Sequence, residues 1–320
     1  MKRIAVALAF VALLVCVGCG KKQEQTGQAP ETAGKKKWVI GMSQCNLGEP
    51  WRVQMNKDIE EAAKQHADEI EVIFKDAQNK TEVQQAQVRE FIQMGVDLLI
   101  ISPKEARPLT KPVAEAYQKG IPVIVLDRKV EGDQYTCFIG ADNVKIGREA
   151  GKYLVKLLGG KGKVVELKGL MTSTPGQERH KGFMEGIAGS QIEIIFDADC
   201  QWLEPIAQRE MQSALARFPQ IDAVYAHNDP SAHGAYLAAR QEGKGREKTI
   251  KFIGIDALPH EGVRYVREGI LTATFEYPTG GKEAIEVALK ILKGEQVPKN
   301  ITLGTRIFTK ENVDKGGEPL

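Results

Sequence analysis

PLTKPVAEAYQKGIPVIVLDR, from Pro108 to Arg128, holds one whole unit of the fold. Leu109, Val113, Ala116 and Tyr117 recur at spacings of three and four, the period of a helix with one buried face. Gly120 stands where a helix ends on a left-handed glycine. Val123–Leu126 is then an unbroken apolar run, which marks a strand buried on both faces. Asp127 and Arg128 follow at its carboxyl end, the edge at which open α/β sheets bind ligands.

Working outward, the same alternation fills the chain from Trp38. Strands are expected at Lys37–Ser43, Ile70–Lys75, Leu98–Ser102, Pro122–Leu126 and Thr136–Gly140, with helices at Trp51–Asp68, Thr81–Met94 and Pro108–Lys119 between them. A second run follows. Helices at Asn143–Leu158, Gln177–Ile187, Glu204–Phe218, Ser231–Gln241 and His260–Glu268 alternate with strands at Lys163–Leu167, Ile192–Asp197, Ala223–Ala226, Lys251–Ile255 and Leu271–Phe275. A helix at Gly280–Lys293 and a last strand near Thr302–Ile307 close the pattern. Two successive βα runs predict two doubly wound parallel-sheet lobes.

The 320 residues suffice for two cores, and the net charge of +2 is too small for a nucleic-acid footprint. Lys2 and Arg3, the apolar run Ile4–Val17 and the small Gly18 read as a secretory signal, too short to span a bilayer. Cys19 directly after it resembles a lipoprotein cleavage site, although Cys16 stands where that pattern prefers Leu. A lipid anchor at Cys19, with membrane attachment, is the expectation; plain cleavage is its alternative. Residues 20–37 carry no apolar periodicity and read as a flexible tether. Cys45, Cys137 and Cys200 form no disulfide framework, no metal-ligand spacing occurs, and no cofactor is expected.

The residues at the strand ends suggest the ligand. Ser43 closes the first strand, and Trp51 and Arg52 follow it. Asp127 and Arg128 follow the fourth; Arg179, Trp202, Asn228 and Asp256 come after strands of the second run, and Glu276 after Phe275. Carboxylates accept from hydroxyls, guanidiniums donate in a planar fork, and indoles cover C–H faces. That mixture suits a neutral polyol. Each residue also has a plainer reading: Asp229 before Pro230 as a helix cap, Trp51 as a staple, Arg179 as a solvated helix residue.

PVIVLDR (Pro122–Arg128), FIGADN (Phe138–Asn143), QERHKGF (Gln177–Phe183), AHND (Ala226–Asp229) and FIGID (Phe252–Asp256) together resemble the sugar-binding proteins of bacterial ABC transporters. The likeness is to the ribose- and galactose-binding group of the type I periplasmic-binding fold. GMSQCNLGEPWR (Gly41–Arg52) looks closest to the galactofuranose-binding branch. The resemblance implies three crossovers near Ala141, Glu276 and Val297. It thus implies an N-terminal lobe of 38–140 plus 277–297 and a C-terminal lobe of 141–276 plus 298–316. Ser43, Trp51, Arg52, Asp127 and Arg128 would bind sugar from one lobe, and Arg179, Trp202, Asn228 and Asp256 from the other. Glu276 stands where such families carry Gln, at slightly shorter spacing. The implied partners are a monosaccharide and a membrane permease, with the protein acting as a periplasmic or cell-surface monomer.

An enzyme would need motifs that are missing. Gly159, Gly160 and Gly162 follow a helix rather than a strand, the wrong order for a phosphate cradle. His66, His180, His227, His233 and His260 are scattered and read as surface or helix residues, only His227 lying beside the strand-end residues. The remaining alternative is a sensor that presents the same bound ligand to a chemoreceptor or histidine kinase.

Overall fold

The computed structural model describes residues 37–320. The expected leader, Cys19 and the tether as far as residue 36 lie outside the described residues. No helix among the described residues is long and apolar enough to cross a membrane.

The first lobe opens with β1 (Trp38–Gln44), α1 (Pro50–Lys64), β2 (Ile70–Asp76) and α2 (Thr81–Met94). It continues with β3 (Leu98–Ser102), α3 (Ala106–Gln118), β4 (Val123–Leu126) and β5 (Cys137–Ala141). The second lobe holds α4 (Asn143–Leu157), β6 (Lys161–Lys168), α5 (Thr174–Ile187), β7 (Gln191–Asp199) and α6 (Glu204–Arg217). After these come β8 (Ala223–Ala226), α7 (Asp229–Gln241), β9 (Lys251–Asp256), α8 (Gly262–Glu268) and β10 (Ala273–Glu276). The chain ends with α9 (Gly281–Leu292), β11 (Asn300–Leu303), β12 (Arg306–Thr309) and β13 (Glu318–Pro319).

The strands form two sheets, ordered β11-β5-β4-β3-β1-β2 and β13-β12-β10-β9-β8-β6-β7. Every pairing in the first is parallel, and in the second only β12 is reversed, running antiparallel to both of its neighbours, β10 and β13. The unbroken apolar strands are buried on both faces, as expected. Leu98, Ile100 and Ile124 pack with Met55 and Ile59 of α1 and Ile285 of α9. Their alternates Leu99, Ile101, Val123 and Val125 pack with Val88 and Phe91 of α2 and Leu109 and Val113 of α3. At about 1.5–3 kcal/mol per buried aliphatic side chain, such two-sided burial outweighs local propensity and holds the sheet parallel.

The expected third crossover near Val297 is displaced. β11 pairs in parallel with β5, Asn300 opposite Phe138, so the chain stays with the first sheet through Leu303 and crosses at Gly304–Thr305. Ile301 and Leu303 pack against the core shared with α1 and α9. The single strand expected near Thr302–Ile307 is therefore two strands in two sheets. The other crossings lie at Asp142, just after β5, and at Tyr277–Gly280, between β10 and α9.

Beside the first crossing, α4 and α5 meet backbone to backbone. A Cβ on Gly147 would stand 2.3 Å from the Arg179 carbonyl oxygen, and one on Gly182 would stand 2.1 Å from that of Val144. Only glycine permits this approach, and it carries Arg179 of α5 to the mouth between the lobes.

Candidate functional site

Three strands of the first sheet end in polar residues at one edge. Asp127 follows β4 with φ 68°, a left-handed conformation that non-glycine residues rarely adopt. Arg52, in the first turn of α1, places Nη1 2.7 Å from Asp127 Oδ2 and donates from it to Ser102 Oγ at 2.8 Å. Burial opposes the charge of Arg52, but Asp127, Cys45 and Glu49 together outweigh it and raise the guanidinium pKa. Arg128 Nε stands 3.7 Å from the same Oδ2, and its Nη1 donates to the Lys104 carbonyl at 3.1 Å. The buried Nε atoms of Arg52 and Arg128 have no hydrogen-bond partner among the described residues. Trp51 donates its indole N–H to the Tyr277 carbonyl at 2.9 Å, and the two rings lie 5.6 Å apart.

The second lobe faces this edge with its own strand ends. Arg179 donates from Nε to Asn143 Oδ1 at 2.9 Å and from Nη1 to the His227 carbonyl. The same Nη1 stands 3.6 Å from Asp256 Oδ1. Burial pushes the Asp256 carboxyl well above the usual range, against the pull of Arg179. Asp256 has φ 123° and Trp202 φ 71°, so both site residues, like Asp127, hold backbone conformations that the surroundings must stabilise. The Trp202 ring meets one guanidinium from each lobe, Arg128 at 5.4 Å and Arg179 at 5.3 Å. Its buried indole nitrogen has no partner among the described residues. Asn228 caps α7 by accepting from the Ser231 backbone at 3.2 Å, and donates to the Trp202 carbonyl at 3.0 Å.

These groups line a narrow cleft together: Glu49, Trp51, Arg52, Asp127, Arg128, Pro175, Arg179, Trp202, Asn228, Asp256 and Tyr277. The lobes are closed over it. Ala106 N–H donates to the Thr172 carbonyl at 3.3 Å, Lys129 N–H to Thr174 Oγ1 at 2.9 Å, and Lys129 Nζ to Glu178 Oε1 at 2.8 Å.

Eight of the ten expected site residues meet at this cleft, and two do not. Ser43 turns the other way along β1 and donates to Gln87 Oε1 of α2 at 2.9 Å, fully buried. Glu276 lies one residue beyond the Phe275–Ile307 pair, so Arg306 of β12 is its cross-strand neighbour, with 3.6 Å between Nε and Oε2. It faces a separate hollow with Gln54, Asp58 and Thr279. Glu49, Pro175 and Tyr277 complete the lining without having been singled out. Glu49 and Pro175 each sit at the start of a helix that follows a strand end, a signal open to reading. Tyr277 directly follows Glu276; its ring lies 4.9 Å from the Arg179 guanidinium and its hydroxyl donates to the Asp127 carbonyl at 3.2 Å.

Two further expectations change. Asp229 is not the cap of α7, since Asn228 takes that role. His180 is a part-exposed helix residue, on α5, as expected, but His227 is not a surface or helix residue, and the two share a buried partner. Both bond the buried Glu166, His180 Nδ1 at 2.9 Å and His227 Nε2 at 3.0 Å from Oε1, and His227 is fully buried at the end of β8. Burial alone would raise the Glu166 carboxyl, but the two imidazoles outweigh it and hold it at about 2.

The Periplasmic binding protein domain matches residues 40–296, from β1 to beyond α9. The chain belongs to the periplasmic binding protein family. The ribose import binding protein RbsB of Bacillus subtilis (strain 168) is 31% identical over 97% of this chain and 100% of its own. The fructose binding periplasmic domain of the hybrid two component system BT1754 is 45% identical, with a TM-score of 0.84 over 87% of this chain and 93% of that one. A galactofuranose binding protein is 27% identical, with a TM-score of 0.82 over 87% and 96%. As a periplasmic binding protein the chain is a binding component and not an enzyme, and its place is outside the cytoplasm. The two doubly wound lobes agree with the type I fold of these relatives.

Asp127, Arg52 and Arg128 belong to one lobe, and Arg179, Trp202 and Asp256 to the other, so the two sets line one cleft only with the lobes closed. The crossings at Asp142, Tyr277–Gly280 and Gly304–Thr305 are the element ends that can absorb the hinge rotation.

Proposed function

We propose that this protein captures a monosaccharide in its furanose ring form between the two lobes and delivers it to the permease of an ABC importer. The observation that carries the reading is the cleft itself. Three carboxylates (Glu49, Asp127, Asp256) alternate with three guanidiniums (Arg52, Arg128, Arg179), and two indoles and a phenol ring supply apolar faces. Hydroxyls of a neutral sugar both donate and accept, and its C–H faces cover aromatic rings. The fructose- and galactofuranose-binding relatives support a furanose ring and put D-fructose first among candidates. Ser43 and Glu276 have no part in direct contact in this reading, and Glu49 and Tyr277 join it.

Mature protein would be a monomer tethered at the outer face of the cytoplasmic membrane through lipid on Cys19. Fatty-acid labelling that persists in Cys19→Ser would remove the anchor from this reading. The ligand is tested by mass spectrometry of the small molecule released from natively purified protein, and by calorimetry with D-fructose, D-ribose, D-galactose and L-arabinose. Release of a non-sugar, or turnover of any sugar, would overturn the proposal.

A sensing role is the second reading, supported by one observation: the 45% identical relative is a domain of a hybrid two component system. Loss of sugar uptake on deletion favours transport. Loss of a transcriptional response with uptake intact favours sensing.

A further inference from the structure

Asp229 is fully buried and does not line the cleft, yet it holds the backbone next to one of the cleft's carboxylates. Its Oδ2 accepts from the Ala257 backbone N–H at 2.7 Å, and its Oδ1 accepts from the Thr274 hydroxyl at 2.7 Å. Ala257 immediately follows Asp256, and the two are consecutive non-glycine residues at φ 56° and 123°. Such a corner reverts to ordinary backbone unless something fixes it. The surroundings are shaped to the Asp229 carboxylate: a Cβ on Gly254 would come within 2.2 Å of Oδ1, and one on Gly262 within 1.9 Å of Oδ2. The group therefore enters between β9 and α8 where only glycines leave room.

We propose that Asp229 is a positioning residue for ligand binding: by anchoring the Asp256–Ala257 peptide it aims the Asp256 carboxylate into the cleft, 3.6 Å from Arg179. The proposal rests on the sugar-binding reading of the cleft. Asp229 also follows Asn228, the α7 cap that holds the Trp202 carbonyl, so the start of α7 fixes two site residues of the second lobe.

The test is a double-mutant cycle between Asp229→Ala and Asp256→Ala, read by calorimetry with D-fructose, D-ribose and D-galactose. Asp229→Ala is expected to raise the dissociation constant by about 10–100-fold in the wild-type background and by less than about threefold when Asp256 is already Ala. Asp229→Asn keeps an acceptor for Ala257 and offers an amide hydrogen to the Thr274 oxygen, so it is expected to restore affinity to within about fivefold. Equal losses in both backgrounds would mean that Asp229 is only part of the core, and the proposal fails. Should Asp229→Ala not fold, Thr274→Val, which frees one oxygen of Asp229, enters the same cycle with an expected loss of about 3–10-fold; no loss overturns the proposal.

A crystal structure of whichever variant folds reads positioning without any sugar. Asp256 is expected to leave its left-handed corner and move from Arg179, and an unmoved corner overturns the proposal even where no sugar binds. If Asp256→Ala binds sugar as tightly as wild type, it is the reading of the cleft that fails instead.

Discussion

Arg52 Nη1 stands 2.7 Å from Asp127 Oδ2, and neither side chain is more than 4% exposed. The pair ties the first turn of α1 to the end of β4, and Ser102 of β3 lies between them. The first lobe's side of the cleft is therefore held together by its own contacts. The Nε of Arg52 stays buried without a hydrogen-bond partner among the described residues.

Asp127→Ala removes a ligand acceptor and also strands a buried guanidinium. A residue that merely followed a strand could be truncated with little effect on folding, but here unfolding free energy is expected to fall by about 3–5 kcal/mol. Sugar affinity is expected to fall by more than about 100-fold, since each unpaired buried group costs about 1–3 kcal/mol and more when charged. Urea denaturation and calorimetry check the two effects separately. Normal affinity in this variant would remove Asp127 from the site.

Glu276→Ala is expected to leave sugar affinity within about twofold, because its partner is Arg306 across the strand pair, a half-exposed contact worth about 0–1 kcal/mol. A tenfold loss measured by calorimetry would return Glu276 to the list of ligand contacts.

Lys129 and Glu178 bridge the lobes at 2.8 Å, with side chains 41% and 24% exposed. Glu178→Gln weakens only the closed form, so it is expected to speed ligand dissociation by about 2–5-fold, in keeping with a partly screened pair of about 0.5–1 kcal/mol. Stopped-flow tryptophan fluorescence reads this, with Trp51 and Trp202 both in the cleft wall. An unchanged dissociation rate with a slower association rate would contradict a role in holding the closed form.

Acid should act through Glu166. Its folded pKa of about 2 lies below the unfolded value of 4.5, so its stabilising effect is present above pH 4.5 and is lost as pH falls through about 2. The gap corresponds to a contribution on the order of 3 kcal/mol. His227, buried and held below its ordinary pKa by burial, must gain a proton over the acid range and adds to the loss. Urea unfolding at pH 7 and pH 3 is expected to show a smaller difference for Glu166→Gln than for wild type. An equal difference would assign the acid limb to other groups.

The division between what could be read and what could not runs along physical lines. Periodicity and two-sided burial depend on each segment alone, so the alternating strands and helices, the two lobes and the polar edge were legible in residues such as Val123–Leu126 and Asp127. A parallel βα arrangement sends every strand's carboxyl end to one edge, which is why eight of ten site residues meet. What the residues alone leave open is the direction of a side chain and the partner it finds across the chain. Ser43 and Gln44 are neighbours on β1, yet only the packing of α2 decides that Ser43 turns to Gln87. Glu276 and Tyr277 are adjacent, and the pairing of β10 with β12 sends the first to Arg306 while the hinge turns the second into the cleft. β11 joins the first sheet through contacts with β5, more than 150 residues earlier in the chain. The class of fold and the sheet edge that lines the cleft follow from local pattern, so the residues alone carry both. Which neighbours face the cleft is set by long-range pairing and by the left-handed turns at Asp127, Trp202 and Asp256, which no local preference would select.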